Sequence, residues 1–223
     1  MRKAFEIGGV VAAVVLVAFG IASLALGVNG RSTVTNSIKQ EKIVGSGDMT
    51  PAAIAKEAQA AKLPASVSLP TCDVAGKPIT NGTRARCFAQ YMRIHTLEAT
   101  GGYTYSQMGR FQAKPNTPKS ELAVGGGTDN DKYAALDPTT KQPIANGARN
   151  IWVTETALTT ALNSSYMADR LSIFSVVVGI ALLLAGIGFG ILALGGALRN
   201  PEFAFAGFGK RFPKGGGAHA PTV

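Results

Sequence analysis

Apolar positions gather in two long blocks, and between them apolar and polar residues alternate at helical spacing. The longer block, LSIFSVVVGIALLLAGIGFGILALGGAL from Leu171 to Leu198, contains no ionisable side chain. About 20 apolar residues rising ~1.5 Å each suffice to cross a ~30 Å hydrocarbon layer. The segment before it, Ala148 to Arg170, has neither Pro nor Gly. It carries Ile151, Leu158, Leu162 and either Ser165 or Tyr166 as a narrow apolar stripe, with Trp152 near its start. The pattern predicts one continuous helix, its first half a stalk and its second half a membrane span.

The shorter block, Phe5 to Val28, carries one charge, Glu6, and follows Met1-Arg2-Lys3. A cleavable leader has an apolar core of about 7–15 residues, so the length favours a retained span. Ser23-Leu24-Ala25 leaves cleavage open as an alternative. Val34 and Ile38, with Glu41 or Lys42, prolong the helical spacing toward the stop at Gly45-Ser46-Gly47. The stripe on 31–44 is placed to face the stalk as an antiparallel mate. In the second span Ser175, Gly179, Gly186 and Gly190 fall near one helical face. Gly9, Ala13, Ala18 and Ala22 recur at similar steps in the first. Small residues of this kind let backbones approach closely, although Gly and Ala are also common in membrane helices generally.

The segment between the blocks reads as a small helical domain. Thr50-Pro51 opens an Ala-rich helix that ends by Pro64, with Thr50 as cap and Pro51 at the first helical position. Cys87, Tyr91, Ile94 and Leu97 mark a second helix, closed by Gly101-Gly102. His95 within it reads as a packed or partly exposed side chain. Tyr103, Tyr105, Met108 and Phe111 are expected to pack under this helix. Residues 112–147 are rich in Pro, Gly, Asn and Asp and predict an irregular surface segment, with a short helix around Lys132 to Leu136.

Cys72 and Cys87 are the only cysteines, and their spacing reads as a disulfide in an oxidising compartment. Asp129-Asn130-Asp131 invites a calcium reading, but the Gly and closing Glu of an EF-hand loop are missing at the required steps. Asn81-Gly82-Thr83 and Asn163-Ser164-Ser165 match the glycosylation acceptor pattern.

Net charge is +9. In the middle segment the two signs are interspersed, unlike the clustered Lys and Arg of a nucleic-acid binder, so none is expected as partner. Arg2 and Lys3 before the first span, and Arg199, Lys210, Arg211 and Lys214 after the second, set both termini on the cytoplasmic side. In the tail, Phe203, Phe205, Phe208 and Phe212 interleave with Lys210, Arg211 and Lys214. That mix fits either an anionic lipid surface or a tail that only sets topology. Neither span carries an ionisable group at depth, which argues against ion transport.

The predicted fold is therefore mainly α. It has a cytoplasmic N-terminus (1–4), a first span (5–28), an extracytoplasmic disulfide-containing helical domain with extended stalk helices (29–170), a second span (171–198) and a basic tail (199–223). The spans form a transmembrane hairpin in the cell membrane. The stretches QYMRIHTLEATGGYTYSQMGRF and NIWVTETALTTALNSSYMADRLSIFSVVVGIALLLAGIGFG resemble a family of actinobacterial two-span membrane proteins of unknown function. The resemblance runs from GVNGRSTV through the second span, and the family is often labelled aromatic ring-opening dioxygenase. A facial-triad iron site needs two His and one carboxylate. The chain has two His, His95 and His219, and the predicted topology puts them on opposite sides of the membrane. The label is therefore rejected.

No G-x-S-x-G, no H-E-x-x-H and no Ser/His/Asp set appears, so no catalytic residue, metal or cofactor is expected. The leading expectation is a structural or interaction protein, an accessory subunit that binds lipid and another membrane protein or itself. The alternative is a ligand-sensing domain that signals through a partner, and the third reading is an extracytoplasmic enzyme.

Overall fold

The computed structural model describes residues 2–195, and over these the chain is mainly helical. Four α-helices follow in order: α1 (Arg2–Gln40), α2 (Pro51–Ala60), α3 (Gly82–Ala99) and α4 (Gly147–Leu194). Three 3-10 turns, Tyr105–Gln107, Lys119–Glu121 and Asp131–Tyr133, lie between α3 and α4. The chain divides into two compact units. Among the described residues, one comprises 2–28 and 174–195, and the other Asn29–Ile173.

The first unit is apolar. Both of its helices belong to elements long and apolar enough to cross a membrane. On α1, Gly9, Ala13, Gly20 and Gly27 are buried, and on α4, Gly179, Gly186 and Ala193. These positions recur every seven residues or half that. A 3.5-residue repeat keeps one seam facing its mate in a left-handed pair. A Cβ added to Gly20 would lie 2.8 Å from Leu183 Cγ and 3.0 Å from the Gly179 carbonyl oxygen. One added to Gly186 would lie 2.8 Å from Val17 Cγ2 and 3.1 Å from the Ala13 carbonyl oxygen. Backbone thus meets backbone with no room for a side chain. Contacts from Ala13 to Leu24 on α1 run against falling numbers on α4, so the two segments are antiparallel. Ser23 Oγ donates to the Ser175 carbonyl at 2.9 Å.

The expected first-helix face differs. Ala18 and Ala22 are exposed, and Gly20 and Gly27 take the seam instead. Steps of four and five, as from Ala13 to Ala18 and Ala22, drift off a 3.5-residue seam. Away from the seam, Phe5, Val14, Phe19, Phe174, Leu184 and Ile191 leave more than half of their surface bare.

In the second unit α1 ends at Gln40, short of the Gly45-Ser46-Gly47 stop, for a backbone reason. Lys42 turns into the left-handed region at φ 51, and the chain beyond it pairs with the segment before α3. Ile79 N–H donates to the Ile43 carbonyl at 2.9 Å, Gly45 N–H to Lys77 at 3.1 Å, and Gly76 N–H back to Gly45 at 2.9 Å. Any Cβ on Gly45 would run into the Val74 carbonyl, so only glycine fits this pairing.

Thr50 caps α2 as expected, its Oγ1 accepting from Ala53 N–H at 3.2 Å. Both α2 and α3 close with the same paired hydrogen bonds. Lys62 N–H reaches the Gln59 carbonyl and Leu63 N–H the Ala58 carbonyl; Gly101 reaches Glu98 and Gly102 reaches Leu97. Left-handed residues at the first position after the cap make this geometry, here Lys62 and Gly101. Asn81 Oδ1 accepts from Arg84 N–H at 2.9 Å and so caps α3, which occupies its side chain structurally.

The core of this unit gathers Ile54 and Ala58 from α2, Phe88, Tyr91, Ile94 and Leu97 from α3, and Ile38, Trp152 and Leu162 from the long helices. Cys72 and Cys87 form a disulfide, with Cα atoms 6.1 Å apart. It ties the loop to the first turns of α3, and Tyr91 Oη donates to the Cys72 carbonyl at 2.5 Å beside it. Trp152 is 3% exposed and donates its indole N–H to the Tyr103 carbonyl at 2.8 Å.

The stripe on α4 keeps Leu158, Leu162 and Ser165 as expected and departs only at its start. Ile151 is exposed and Trp152 takes its place. Three polar residues, Glu155, Asp169 and Ser172, are buried on the same face. Asp169 Oδ1 lies 3.7 Å from Arg31 Nε on α1. A Cβ on Gly30 would lie 2.7 Å from Ser172 Oγ, and one on Gly82 would lie 2.7 Å from Asp169 Cβ. Two glycines therefore let α1 and the start of α3 close onto α4, with the Asp169 carboxylate beside the positive end of α3.

Residues 105–146 are irregular but fastened. Isolated bridges join Phe111 to Thr128 and Ala145, Ala113 to Ala134, and Leu136 to Pro143. The short helix expected around Lys132 to Leu136 is the single turn Asp131–Tyr133. Met108 is buried, while Tyr105 is exposed and not under α3 as expected. The Arg149 guanidinium lies 4.0 Å from the Tyr105 ring centre instead.

Three carboxylates sit below their ordinary range. Hydrogen bonds hold Asp48 down from Ser46, Asp73 from Lys77, and Asp137 from the amides of Thr140 and Thr139. Each folded-state value lies under the unfolded one. Their contribution is full above the ordinary carboxylate value and is lost as pH falls through the lower folded values. Trp152 is the sole tryptophan and reports on this unit. Its fluorescence melting temperature should therefore fall modestly as pH drops below about 4, since these exposed groups contribute little each. A melting temperature that is constant down to about pH 2.5 would contradict these assignments.

Candidate functional site

Four titratable side chains converge where the loop before α2, α2 itself and α3 meet. Tyr91 and Ile94 turn one face of α3 into the core, and this points His95 and Glu98, three residues apart, toward α2. Glu57 comes from the second half of α2. Asp48 comes from the tight turn that precedes the Thr50 cap, where Met49 N–H bonds to the Ser46 carbonyl at 3.1 Å.

His95 Nε2 lies 3.7 Å from Asp48 Oδ2. Its Nδ1 lies 3.6 Å from Glu57 Oε2 and 3.9 Å from Glu98 Oε2. The imidazole is thus ringed by carboxylates without a hydrogen bond to any of them. Nε2 is buried and has no hydrogen-bond partner. Ser46 Oγ donates to Asp48 Oδ1, which leaves Oδ2 turned to the ring. Among the described residues, every ion-pair contact of Asp48, Glu57 and Glu98 is to His95. One atom from each of Asp48, Glu57 and His95 can be chosen so that all lie within 4.8 Å of one another, a spacing that could hold a metal ion.

A second polar feature lies between α3 and α4. A cleft of about 370 Å³ is lined by Arg86, Gln90 and Arg93 on one wall and Glu155, Thr159 and Asn163 on the other. The two guanidinium groups are held by aromatic rings: Arg86 over Tyr166 at 4.7 Å and Arg93 over Trp152 at 5.3 Å. Glu155 is 6% exposed and accepts a long hydrogen bond of 3.4 Å from Thr156 Oγ1. Arg170, with Arg86, favours the ionised form of the half-buried Tyr166 and lowers its pKa.

Of the residues singled out in the sequence, Cys72 and Cys87 are bonded to each other. Gly179 and Gly186 lie flush against α1, Gly190 sits more loosely with Ala13 Cβ at 3.7 Å, and Ser175 contributes its carbonyl. Lys210, Arg211, Lys214 and His219 lie outside the described residues. The Asp129 run is taken up by arginines. Asp129 Oδ1 accepts from Arg110 N–H at 2.9 Å and Nε at 3.3 Å, and Arg149 approaches at 3.9 Å.

No sign of the grouping of Asp48, Glu57 and His95 appears in the sequence. They come from three segments with no common spacing, and only the i, i+3 pair His95 and Glu98 is visible along the chain. No protein-family model matches the chain, no curated protein matches it, and no solved structure matches its fold.

Proposed function

We propose that this protein is a membrane-anchored structural or interaction protein, an accessory subunit of a larger membrane assembly. Both termini lie in the cytoplasm, and residues 29–170 form a disulfide-closed extracytoplasmic domain. The observation that carries the reading is the character of the apolar unit. Its glycine seam is filled by its own two helices, while large side chains such as Phe19, Leu184 and Ile191 stay bare around the outside. Apolar surface of that extent needs hydrocarbon or another apolar surface to cover it.

Crosslinking in membranes, followed by mild-detergent purification, tests the role. A defined set of membrane proteins should co-purify at fixed stoichiometry. A homogeneous monomer after crosslinking overturns it. The cleft of Arg86, Arg93 and Glu155 favours a second reading, a domain that senses a small charged ligand. Under that reading the same purification yields a monomer carrying a small molecule.

A further inference from the structure

We propose that Asp48, Glu57 and His95 form a binding site for a first-row divalent cation of the zinc class, with Glu98 at its rim. This site is independent of the membrane role proposed above and concerns the polar unit alone.

The first argument is charge. Three carboxylates surround one imidazole, and no Lys or Arg among the described residues comes within 4.0 Å of them. Even a protonated ring would leave the group net negative. Like charges brought together on a partly buried surface repel, and a bound dication is the most direct compensation. The second argument is the orphaned nitrogen. His95 Nε2 is buried and unpartnered, although its neighbours are all acceptors. A buried polar atom without a partner calls for a missing group.

Geometry is the third argument. Zinc bonds of ~2.0–2.2 Å in a tetrahedron place neighbouring ligand atoms about 3.3–3.6 Å apart. The 3.7 Å from Nε2 to Asp48 is only slightly wider, while Glu57 stands 3.6 Å from the other ring nitrogen, Nδ1; one atom from each of the three residues lies within 4.8 Å of the others. Side-chain rotation in Glu57, whose side chain is 30% exposed, closes such a gap without moving the helices. Nε2 would ligate beside Asp48 and the rotated Glu57, and Nδ1 would donate to Glu98, 3.9 Å away on its own side. Metal-bound histidines are oriented by such an acid. Ser46 performs the equivalent service for Asp48 by holding Oδ1 and leaving Oδ2 free. The donor set chooses the cation. One imidazole with carboxylates suits zinc or manganese, whereas calcium takes oxygen ligands only. Three protein ligands leave a position for water or for a donor on a partner.

The test uses the full chain in detergent, stripped with a chelator and titrated with zinc chloride at neutral pH by calorimetry. One equivalent should bind saturably, and zinc should raise the Trp152 fluorescence melting temperature. His95→Gln and Glu57→Gln should each weaken binding at least about tenfold, the range seen when ligands or their supports are lost. Asp131→Asn, at an exposed acid elsewhere, should leave binding unchanged. A readout without variants guards against misfolded substitutions: zinc should protect His95, mapped by peptide, from diethyl pyrocarbonate. Three results each overturn the proposal. They are the absence of saturable binding, equal affinity in the parent and both variants, and modification of His95 at the same rate with and without zinc.

Discussion

Gly179→Leu should force the two apolar helices apart. A Cβ at Gly179 would lie 2.8 Å from Leu24 Cγ and 2.9 Å from the Gly20 carbonyl oxygen. The second of these neighbours is backbone, so it cannot rotate away. Overpacking a close-fitted site costs about 1–3 kcal/mol, and four added carbons against backbone place this change at the upper end. The readout is a cysteine pair at Ser23 and Ser175, joined by a side-chain-to-carbonyl hydrogen bond in the native seam. A short bifunctional thiol reagent should crosslink that pair efficiently in the parent and poorly in Gly179→Leu. Gly188→Leu is the control, since a Cβ there meets nothing within 4 Å. Equal crosslinking in all three proteins would show that the seam does not depend on Gly179.

Replacing both Cys72 and Cys87 with Ser should cost the polar unit about 3 kcal/mol. Their sequence separation is 15, and closing a loop of that length stabilises by about this amount in the chain-entropy model. For a domain of about 150 residues, each kcal/mol shifts the melting temperature by roughly 2–4 °C, so the fall should be roughly 6–12 °C. Trp152 fluorescence measures it, because that ring sits in the same core as Cys87. Reduction of the native protein should reproduce the effect, and the double Ser variant should then be indifferent to reductant. An unchanged melting temperature in both experiments would mean that the Cys72 carbonyl bond to Tyr91, with the α3 cap, already fixes the loop.

Much of this fold can be read along the chain because its causes are local. Thr50 and Pro51 announce α2, Gly101 closes α3, and unbroken apolar runs announce the two long helices. Cys72 and Cys87 pair because no other thiol competes. On the long helices the pattern decides less, because small and apolar residues occupy more than one face of each. Leu158 and Leu162 lie on the packed face as their spacing predicts, but Trp152 joins them and Ile151 does not, and Gly20 and Gly27 face the partner helix where Ala18 and Ala22 do not. The end of α1 depends on tertiary pairing: residues 43–45 answer to residues 75–79, a partner that local spacing does not reveal. The acidic ring around His95 is hidden in the same way. Its members lie on a loop, on α2 and on α3, and only tertiary packing brings them together.

The flush contact between α1 and α4 also bears on how this sequence can drift. At Gly20, Gly179 and Gly186 every side chain is too large, so these sites admit almost no substitution unless a facing residue shrinks. Positions such as Val11, Val14, Phe19, Leu184 and Ile187 point away from the seam and are more than half exposed. They can interchange freely among aliphatic and aromatic residues. Relatives should therefore vary along these helices with a seven-residue rhythm, silent on one face and rapid on the other. Changes at the silent positions should arrive in compensating pairs, one on each helix.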